Sequence, residues 1–415
     1  MSQALPARLA GWPILRGIAG WRPADLGPDL VAGLTLAAIA IPEQMATARL
    51  GGFSPTAGFL ALIAGAIGFA IFGANRALSA GADSTITPIF AGSLALLGTA
   101  GGLHYEALAA MLALMVGAIV AASGVFRLGW IADLLSIPVT TGFLAGIGGH
   151  IALSQAPALL GVPAPEGPFP DRLIALAGEL GATNPLTTAI GLGVFAAMMV
   201  GERVSARIPM ALIGLVVATG VTKALDLESQ GVAAIGAVAA VTLRLKTPDV
   251  GFDDVVRMAQ LAALVAIVVM MQTAATTRAF VGAPDRDPDV NRDFIGVGAA
   301  SLLAGFVGAF PLNASPPRTA VVVETGGRSQ MASLTAAAIV LGLAVFGAGL
   351  LAHTPIAALA GVLLYVAQRI IRLSTFVSIW RQSRTEFALL IATMAAILIV
   401  PIQQGVAFGV VLSLL

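Results

Sequence analysis

Two interruptions of otherwise apolar sequence decide the fold of this chain: Leu78-Ser79-Ala80-Gly81-Ala82-Asp83-Ser84-Thr85-Ile86-Thr87 and Phe310-Pro311-Leu312-Asn313-Ala314-Ser315-Pro316-Pro317-Arg318-Thr319. Each one breaks a hydrophobic run with small and polar residues, and a short helical pattern follows. An unpaired backbone amide in hydrocarbon costs several kcal/mol, so a broken helix persists at membrane depth only where protein or a water-filled cavity surrounds it. A matched pair of breaks, one in each half of a chain, is typical of the binding site of a transporter.

The composition indicates an integral membrane protein. Of the 415 residues, 58% are hydrophobic and 10% are charged, and the mean hydropathy is +0.95, whereas soluble domains carry roughly 25% charged residues. The 48 glycines favour a densely packed bundle, because small residues let helix backbones approach each other in lipid. The lack of cysteine excludes disulfides and thiolate chemistry, and a net charge of +1 argues against nucleic-acid binding.

Successive apolar runs of about 15 to 22 residues predict an all-α polytopic membrane protein with about fourteen transmembrane segments. The predicted helices are 28-50, 55-73, 84-98, 105-124, 129-158, 186-201, 207-223, 255-280, 291-310, 316-325, 330-351, 355-371, 384-400 and 402-415. The polar connection 224-254 separates a first repeat, 1-225, from a second repeat, 250-415. Since seven helices are an odd number, the second repeat must be inverted relative to the first.

The distribution of positive charge predicts a cytoplasmic N-terminus. With that orientation, fifteen of the 22 Lys and Arg residues lie in inside segments and six in outside segments, while Arg318 lies within the membrane. This bias agrees with the positive-inside rule. Residues 1-21 lack the long apolar core and the cleavage site of a signal peptide. The last apolar run ends at Leu415 without a polar tail, which indicates a truncated chain.

The two breaks together predict a pocket for an anion. The amino terminus of a helix presents unpaired amides and roughly half a positive charge. If the half-helices that begin near Ser84 and Pro317 point at each other at the midplane, their positive ends define one site. The candidate substrate-binding residues are Gln44, Asp83, Ser84, Thr85, Gln272, Ala314, Ser315 and Arg318.

Arg318 is the candidate with the clearest chemistry. A buried guanidinium beside a helix amino terminus is costly unless it meets an anion or a carboxylate. Our interpretation is that Arg318 contacts the substrate, and the alternative is a structural pair with a neighbouring acid.

Glu43 is the candidate proton-coupling residue. It lies about 20 Å beyond Asp29 along the first helix, at roughly 1.5 Å per residue, and a carboxylate at that depth can exchange a proton near neutral pH. The alternative is a glutamate that reaches water alongside Arg49. Asp83 either caps the third helix or titrates in the site, and Gln272 binds either the substrate or a neighbouring backbone.

Several motifs resemble those of the SulP family, the sulfate permease family of anion transporters. Ala-Ile-Pro-Glu-Gln-Met-Ala-Thr-Ala (40-48), followed by Gly-Gly-Phe-Ser-Pro-Thr-Ala-Gly (51-58), is similar to the first-helix signature of that family. Ser-Ile-Pro-Val-Thr-Thr-Gly-Phe (136-143) resembles its fifth helix, and Ala-Ser-Pro-Pro-Arg-Thr-Ala (314-320) resembles its tenth-helix motif, Gly-Ser-x-Ser-Arg-Thr. The similarity covers nearly the whole chain in the right order.

The resemblance implies two inverted seven-helix repeats, with a core domain from helices 1-4 and 8-11 and a gate domain from helices 5-7 and 12-14. It also implies a cytoplasmic STAS domain after the last helix, which this sequence lacks. The implied function is secondary active transport of a small anion, of the dicarboxylate, sulfate or bicarbonate class, across the bacterial inner (cell) membrane. An anion channel or an uncoupled exchanger on the same scaffold is the alternative. We expect a small anion, protons and membrane lipids as partners, a homodimer as the candidate assembly, and no nucleic acid, catalytic residue, cofactor or metal.

Three departures from the family pattern bear on the mechanism. The family usually has Gln after the first-helix proline, where this chain has Glu43, and usually has Glu in the eighth helix, where this chain has Gln272. The carboxylate has thus changed helices, which keeps one acid near the site and favours a proton-coupled symporter over a chloride-style exchanger. The expected transport mechanism is elevator-type alternating access. Asp83 replaces a small or hydroxyl residue at the start of the third helix, where it would affect selectivity.

Overall fold

The computed structural model describes residues 14–130, 136–165, 167–204, 209–236, 245–280, 289–346, 348–371 and 373–400. The helices of the first half are α1 (Leu26–Leu50), α2 (Pro55–Phe72), α3 (Thr87–Leu94), α4 (Leu103–Val125), α5 (Ile137–Leu160), α6 (Phe169–Gly178), α7 (Pro185–Val204) and α8 (Met210–Ala224). Those of the second half are α9 (Phe252–Ala279), α10 (Val290–Phe306), α11 (Pro316–Glu324), α12 (Met331–Phe346), α13 (Ala348–Leu351), α14 (Ile356–Ile370), α15 (Leu373–Gln382) and α16 (Arg384–Ile399). Strands β1 (Ala80–Gly81) and β2 (Asn313–Ala314) precede α3 and α11.

Most of the order of elements is repeated in the two halves, except for the four-residue α13, which has no counterpart among the described residues of the first half, and α8, which has none among those of the second. Two long helices, a two-residue strand, a short helix and a long helix follow one another from α1 to α4 and again from α9 to α12. A long helix, a short helix and a long helix then follow from α5 to α7 and from α14 to α16. Among the described residues, five helical segments are each long and apolar enough to cross a membrane, and a sixth, Ile356–Gln382, reaches that length only by joining α14 and α15. The bent pair Phe169–Ala182 and Pro185–Gly201 would raise the number to seven.

The chain divides into two compact units. The first comprises Met1–Ile86, Ser93–Asp133 and Ala239–Gly347, and the second comprises Thr87–Gly92, Leu134–Val238 and Ala348–Leu415. In the first unit, α10 packs against α4 and α2, while α1 packs against α12 and α2. In the second unit, α5 packs against α16 and α14.

Glycines in α2 bring helix and strand backbones into direct contact in the first unit. A Cβ atom at Gly58 would collide with the carbonyl oxygen of Gln44, and one at Gly65 would collide with that of Ala80. Any side chain at Gly65 would therefore push β1 away from α2. The prediction that small residues serve helix packing is confirmed at these positions.

The predicted start of the third helix at residue 84 is wrong. Residues 84–86 form a turn, in which the Asp83 carboxylate accepts a hydrogen bond from the Thr85 amide at 2.8 Å, and α3 begins only at Thr87. Pro88 lies in the first helical turn, where its missing N–H leaves no bond unmade. The helix ends at Leu94, four residues before the predicted end.

The fifth predicted helix, 129-158, also begins later than expected, at Ile137. Pro138 again occupies the first turn, and Gly161, with a left-handed φ of 72°, ends the helix. The helices α6 and α15 were missed, because both are amphipathic and too short to register as apolar spans. The predicted helix 402-415 lies outside the described residues.

Candidate functional site

The two sequence breaks bind each other. Strands β1 and β2 pair antiparallel, with Ala80 opposite Ala314 and Gly81 opposite Asn313. The pairing continues beyond the strands, since the Ser315 amide donates to the Ser79 carbonyl at 2.9 Å. Backbone groups that the breaks remove from helices thus find partners in each other, as the apolar surroundings require.

Arg318 is fully buried at the start of α11 and forms an ion pair with Glu43. Its Nη1 lies 2.7 Å from Glu43 Oε1 and 3.0 Å from the Ala82 carbonyl oxygen. Its Nε and Nη2 have no hydrogen-bond partner among the residues that the structure describes. The pair with a neighbouring acid, which was the alternative interpretation of Arg318, is therefore present, and two further guanidinium nitrogens can still donate to an anion.

Glu43 is held in α1 at a depth where its side chain is 11% exposed. Pro42 directly precedes it inside the helix. Its carboxylate contacts Arg318, which lies 275 residues away in sequence. Glu43 therefore does not reach water beside Arg49, which was the alternative interpretation. A buried charge is tolerated when it is paired in this way, and removal of one partner is strongly destabilising.

Gln44 clamps the first break onto α1. Its Nε2 donates to the Ala82 carbonyl at 3.0 Å, and its Oε1 accepts from the Ala82 amide at 3.0 Å. The side-chain amide therefore binds Ala82 as a neighbouring strand would. Gln44 is fully buried, and in this conformation it positions the backbone beside Arg318.

A second polar cluster joins the breaks to α9. Gln272 Nε2 donates to Thr85 Oγ1 at 2.9 Å, and Gln272 Oε1 accepts from Asn313 Nδ2. Thr85 Oγ1 in turn contacts the Asp83 carboxylate. Gln272 therefore binds side chains of both breaks, and Asp83 acts as a cap on the turn that precedes α3.

The remaining predicted residues are also buried. Ser84 is 3% exposed, and Ala314 lies in β2. The Ser315 hydroxyl and Asn313 Oδ1 have no hydrogen-bond partner among the described residues. Asn313 was not among the predicted site residues, although it lies inside the second break and is a polar residue between apolar neighbours.

Two buried carboxylates that were not selected from the sequence anchor the turns beside the breaks. Asp293 accepts hydrogen bonds from the Ala74 and Asn75 amides, both at 2.9 Å. Asp29 accepts from the Arg328 amide at 2.6 Å and from the Ser329 hydroxyl at 2.6 Å. Each of them satisfies backbone amides of a turn that lies far away in sequence.

The described residues contain no group of three or more His, Cys, Asp or Glu side chains that could hold a metal ion. The site is instead a buried cationic group whose charge is met by one carboxylate, with hydroxyl and amide groups around it. Such an arrangement can bind an anion and release it without covalent chemistry. Together with the repeated order of helices, it defines a membrane transporter built around a pair of broken helices.

The family follows from direct comparison. A family model described as "Sulfate permease family" matches residues 26–393. A probable sulfate transporter of Mycobacterium tuberculosis is 34% identical over 407 residues, which cover 96% of this chain and 73% of the relative. A putative sulfate transporter of Bacillus subtilis is 26% identical, and the match covers 93% of this chain and 72% of that protein. The chain belongs to the sulfate permease (SulP) family and is an anion transporter integral to the membrane.

Solved structures show the same fold. The transmembrane domain of the cyanobacterium bicarbonate transporter BicA has a TM-score of 0.82 and 23% identity, covering 94% of this chain and 98% of that one. The murine solute carrier 26 family member A9, an anion transporter in the inward-facing state, has a TM-score of 0.85 and 21% identity, covering 94% of this chain and 68% of that one. The prediction of two inverted seven-helix repeats is confirmed.

Proposed function

We propose that the chain is a proton-coupled symporter of a small anion, and that it works by elevator-type alternating access. The observation that carries the proposal is the buried Arg318–Glu43 pair, in which Arg318 keeps two nitrogens without partners among the described residues. These donors suit an oxyanion, because a guanidinium can bind two oxygens in parallel.

The pair couples the proton to the anion. While Glu43 is ionised, it neutralises Arg318, and an arriving anion gains little from the guanidinium. A proton on Glu43 leaves a buried positive charge that an anion can compensate. Each ligand therefore makes binding of the other more favourable, and this coupling is reciprocal.

The substrate belongs to the dicarboxylate, sulfate or bicarbonate class. Sulfate and bicarbonate stand in the names of the related proteins, and the buried Ser315 hydroxyl adds a donor close in sequence to Arg318. We place the protein in a bacterial inner membrane with a cytoplasmic N-terminus, as the charge distribution favours. A homodimer is the assembly to test.

The division into two compact units supports a moving core and a gate. The first unit contains α1, α2, α4 and α9 to α12 with the candidate site, and the second contains α5 to α8 and α14 to α16. This grouping matches the core and gate helices that we expect, except that Thr87–Gly92 of α3 group with the second unit. We propose that the first unit carries the bound anion across the membrane against the second.

Uptake by proteoliposomes tests the coupling directly. Labelled sulfate, bicarbonate and a dicarboxylate are offered with and without an inward proton gradient, to the parent and to Glu43→Gln, which mimics the protonated state. We expect the gradient to drive accumulation in the parent, whereas the variant keeps substrate exchange and loses accumulation. Equal accumulation by both proteins would rule out Glu43 as the coupling site. Currents far above carrier turnover would instead support an anion channel.

A further inference from the structure

Helix α15 is separated from both of its neighbours in the chain. Ile371, with a ψ of 87°, ends α14, and the extended Ser383, with φ and ψ of −154° and 120°, precedes α16. The ten residues of α15 span about 15 Å at 1.5 Å per residue, which is half the thickness of a hydrocarbon core of about 30 Å. By itself α15 is therefore too short to cross the hydrocarbon core.

The exposed side of α15 carries an apolar stripe beside a polar one. Leu373, Val377 and Trp380 are 69%, 50% and 51% exposed and follow the i, i+4, i+7 spacing of a single helix face. Ser374, Ser378, Arg381 and Gln382 are exposed beside them, and Ile379 is buried. A helix with this division fits the boundary between acyl chains and headgroups.

Arginines flank the stripe. The sequence from Arg369 to Glu386 contains Arg369, Arg372, Arg381 and Arg384, and Glu386 is its single acid. The Arg384 guanidinium lies over the Trp380 ring at 5.4 Å, which places a positive charge beside the exposed indole. Trp380 itself packs edge-on against Phe387 at 4.8 Å, so the indole and the arginine form one ordered unit.

Helix α6 occupies the equivalent place in the first half, between α5 and α7, and it differs in charge. Its buried Leu176 packs with Leu153 and Val162, while Leu173 and Ile174 are exposed. The charged residues of α6 and the turn after it are Asp171, Arg172 and Glu179, with a net charge of −1. Both helices thus expose apolar residues, and only α15 is flanked by an excess of positive charge.

We propose that α15 is a membrane-surface helix that binds the phosphate groups of anionic phospholipids through Arg381 and Arg384, while Leu373, Val377 and Trp380 lie among the acyl chains. Charge complementarity selects this partner, because basic residues beside an apolar helix face favour anionic over zwitterionic lipid. Arginine donates two parallel hydrogen bonds to a phosphate, which adds geometry to the charge. Helix α6 lacks an excess of positive charge, so it should lack this preference and serves as the internal control.

A single-cysteine label measures the preference, since the chain contains no cysteine. Val377→Cys is labelled with a fluorophore, and the full chain is reconstituted in phosphatidylcholine vesicles that contain either brominated phosphatidylglycerol or brominated phosphatidylcholine as quencher. The ratio of the two quenching efficiencies gives the relative occupancy of the site next to α15. We expect phosphatidylglycerol to be preferred by about fivefold for each arginine that contacts it.

Substitution and salt separate the contribution of the arginines. In the Arg381→Gln/Arg384→Gln variant of the labelled protein, the quenching ratio should fall to near one. In the labelled protein that keeps both arginines, the ratio should fall when salt is raised from low to high concentration. Equal quenching by both lipids in that background, or a preference that survives both the substitution and high salt, would overturn the proposal. Absence of quenching by either lipid would show that α15 does not lie at the bilayer.

A matched label on α6 controls for folding and for general lipid effects. Ile174→Cys, which replaces a side chain that is 71% exposed, should show no preference for phosphatidylglycerol. Its signal should be unchanged by Arg381→Gln/Arg384→Gln if the double variant is folded. If the double variant fails this control, the salt response of the labelled parent decides the question alone. A preference at residue 174 as strong as that at residue 377 would also overturn the assignment to α15.

Discussion

The two broken helices share a backbone plan and differ in how they are held. The first break, residues 78–87, is fixed by side chains from elsewhere: Gln44 clamps Ala82, and Gln330 Nε2 donates to the Leu78 carbonyl at 2.9 Å. The second break, residues 310–319, begins its helix with Pro316 and Pro317 and is held by other helices: Gln272 Oε1 of α9 accepts from Asn313 Nδ2, and Ser301 Oγ of α10 accepts from the Leu312 amide at 3.2 Å.

The difference teaches that the inverted repeat is symmetric in backbone and asymmetric in charge. The second break contributes a cation, Arg318, and the first contributes an acid, Asp83, that caps its own turn. Glu43, which meets Arg318, comes from α1 and so belongs to the half that lacks the arginine. The symmetric scaffold thus supplies two half-helices, of which the second contributes the cation that is proposed to bind the anion and the first contributes an acid that caps its own turn.

Removal of the cation should have the largest effect. Arg318→Ala deprives the anion of its guanidinium and leaves Glu43 buried without this partner, at a cost of about 3–5 kcal/mol when the carboxylate is ionised. We expect anion uptake to fall at least about 30-fold, the equivalent of roughly 2 kcal/mol or more in binding. Initial uptake rates by purified, reconstituted protein measure the loss.

A double variant separates transport from folding in that experiment. Arg318→Ala/Glu43→Gln contains neither buried charge and should regain thermal stability without regaining uptake. Normal uptake with unchanged apparent affinity in either variant would show that Arg318 does not bind the substrate.

Loosening the clamp on the first break should have a smaller effect. Gln44→Met keeps the side-chain volume but leaves the Ala82 amide without its bond, which costs about 1–3 kcal/mol. We expect a lower midpoint of thermal unfolding and weaker uptake. Gln155→Met is the matched control, because Gln155 is 7% exposed and its described hydrogen bond is a 3.3 Å contact with Ser154. If both variants unfold alike, Gln44 is not a clamp.

Neutralising Asp83, the acid of the first break, should have a still smaller effect on transport. Asp83→Asn retains an oxygen that can accept from the Thr85 amide, so the turn before α3 should persist. We expect substrate exchange within about threefold of the parent, as for a change that keeps one hydrogen bond, and gradient-driven accumulation should be retained. Loss of accumulation with exchange intact would move proton coupling from Glu43 to Asp83.

The pairing of β1 with β2 predicts that the two breaks move as one body. Spin labels on cysteines at Leu96 and Val323, both exposed in the first unit, should keep one distance distribution with and without substrate and gradient. The distance from Val323 to Ile137, an exposed residue of the second unit, should change under the same conditions. A fixed second distance would rule out the elevator account.

The sequence predicts those features that depend on local pattern. The bounds of α1, α2, α11 and α14 agree with the expected ranges to within two residues, because apolar length, proline and glycine mark them. The partner of Arg318 was left open, since no local pattern links it to a residue 275 positions away. The strands β1 and β2 were missed for the same reason, as two residues carry no periodicity and the pairing is made only in the folded chain.

The anchoring carboxylates have a consequence for how the protein is made. Asp29 lies near the start of the chain and binds amides of Arg328 and Ser329, which are synthesised 299 and 300 residues later. Asp293 likewise binds the amides of Ala74 and Asn75, which are synthesised more than 200 residues before it.

Each half of the chain therefore leaves the ribosome with polar groups whose hydrogen-bond partners in the folded protein lie partly in the other half. Unpaired groups of this kind are costly in lipid, so the first half must remain hydrated, or shielded by the insertion machinery, until the second arrives. Two separately expressed halves should accordingly be degraded alone and stabilise each other when produced together. Because each half supplies a carboxylate that binds backbone amides of the other half, the first half completes its hydrogen bonds only after the second half has been synthesised.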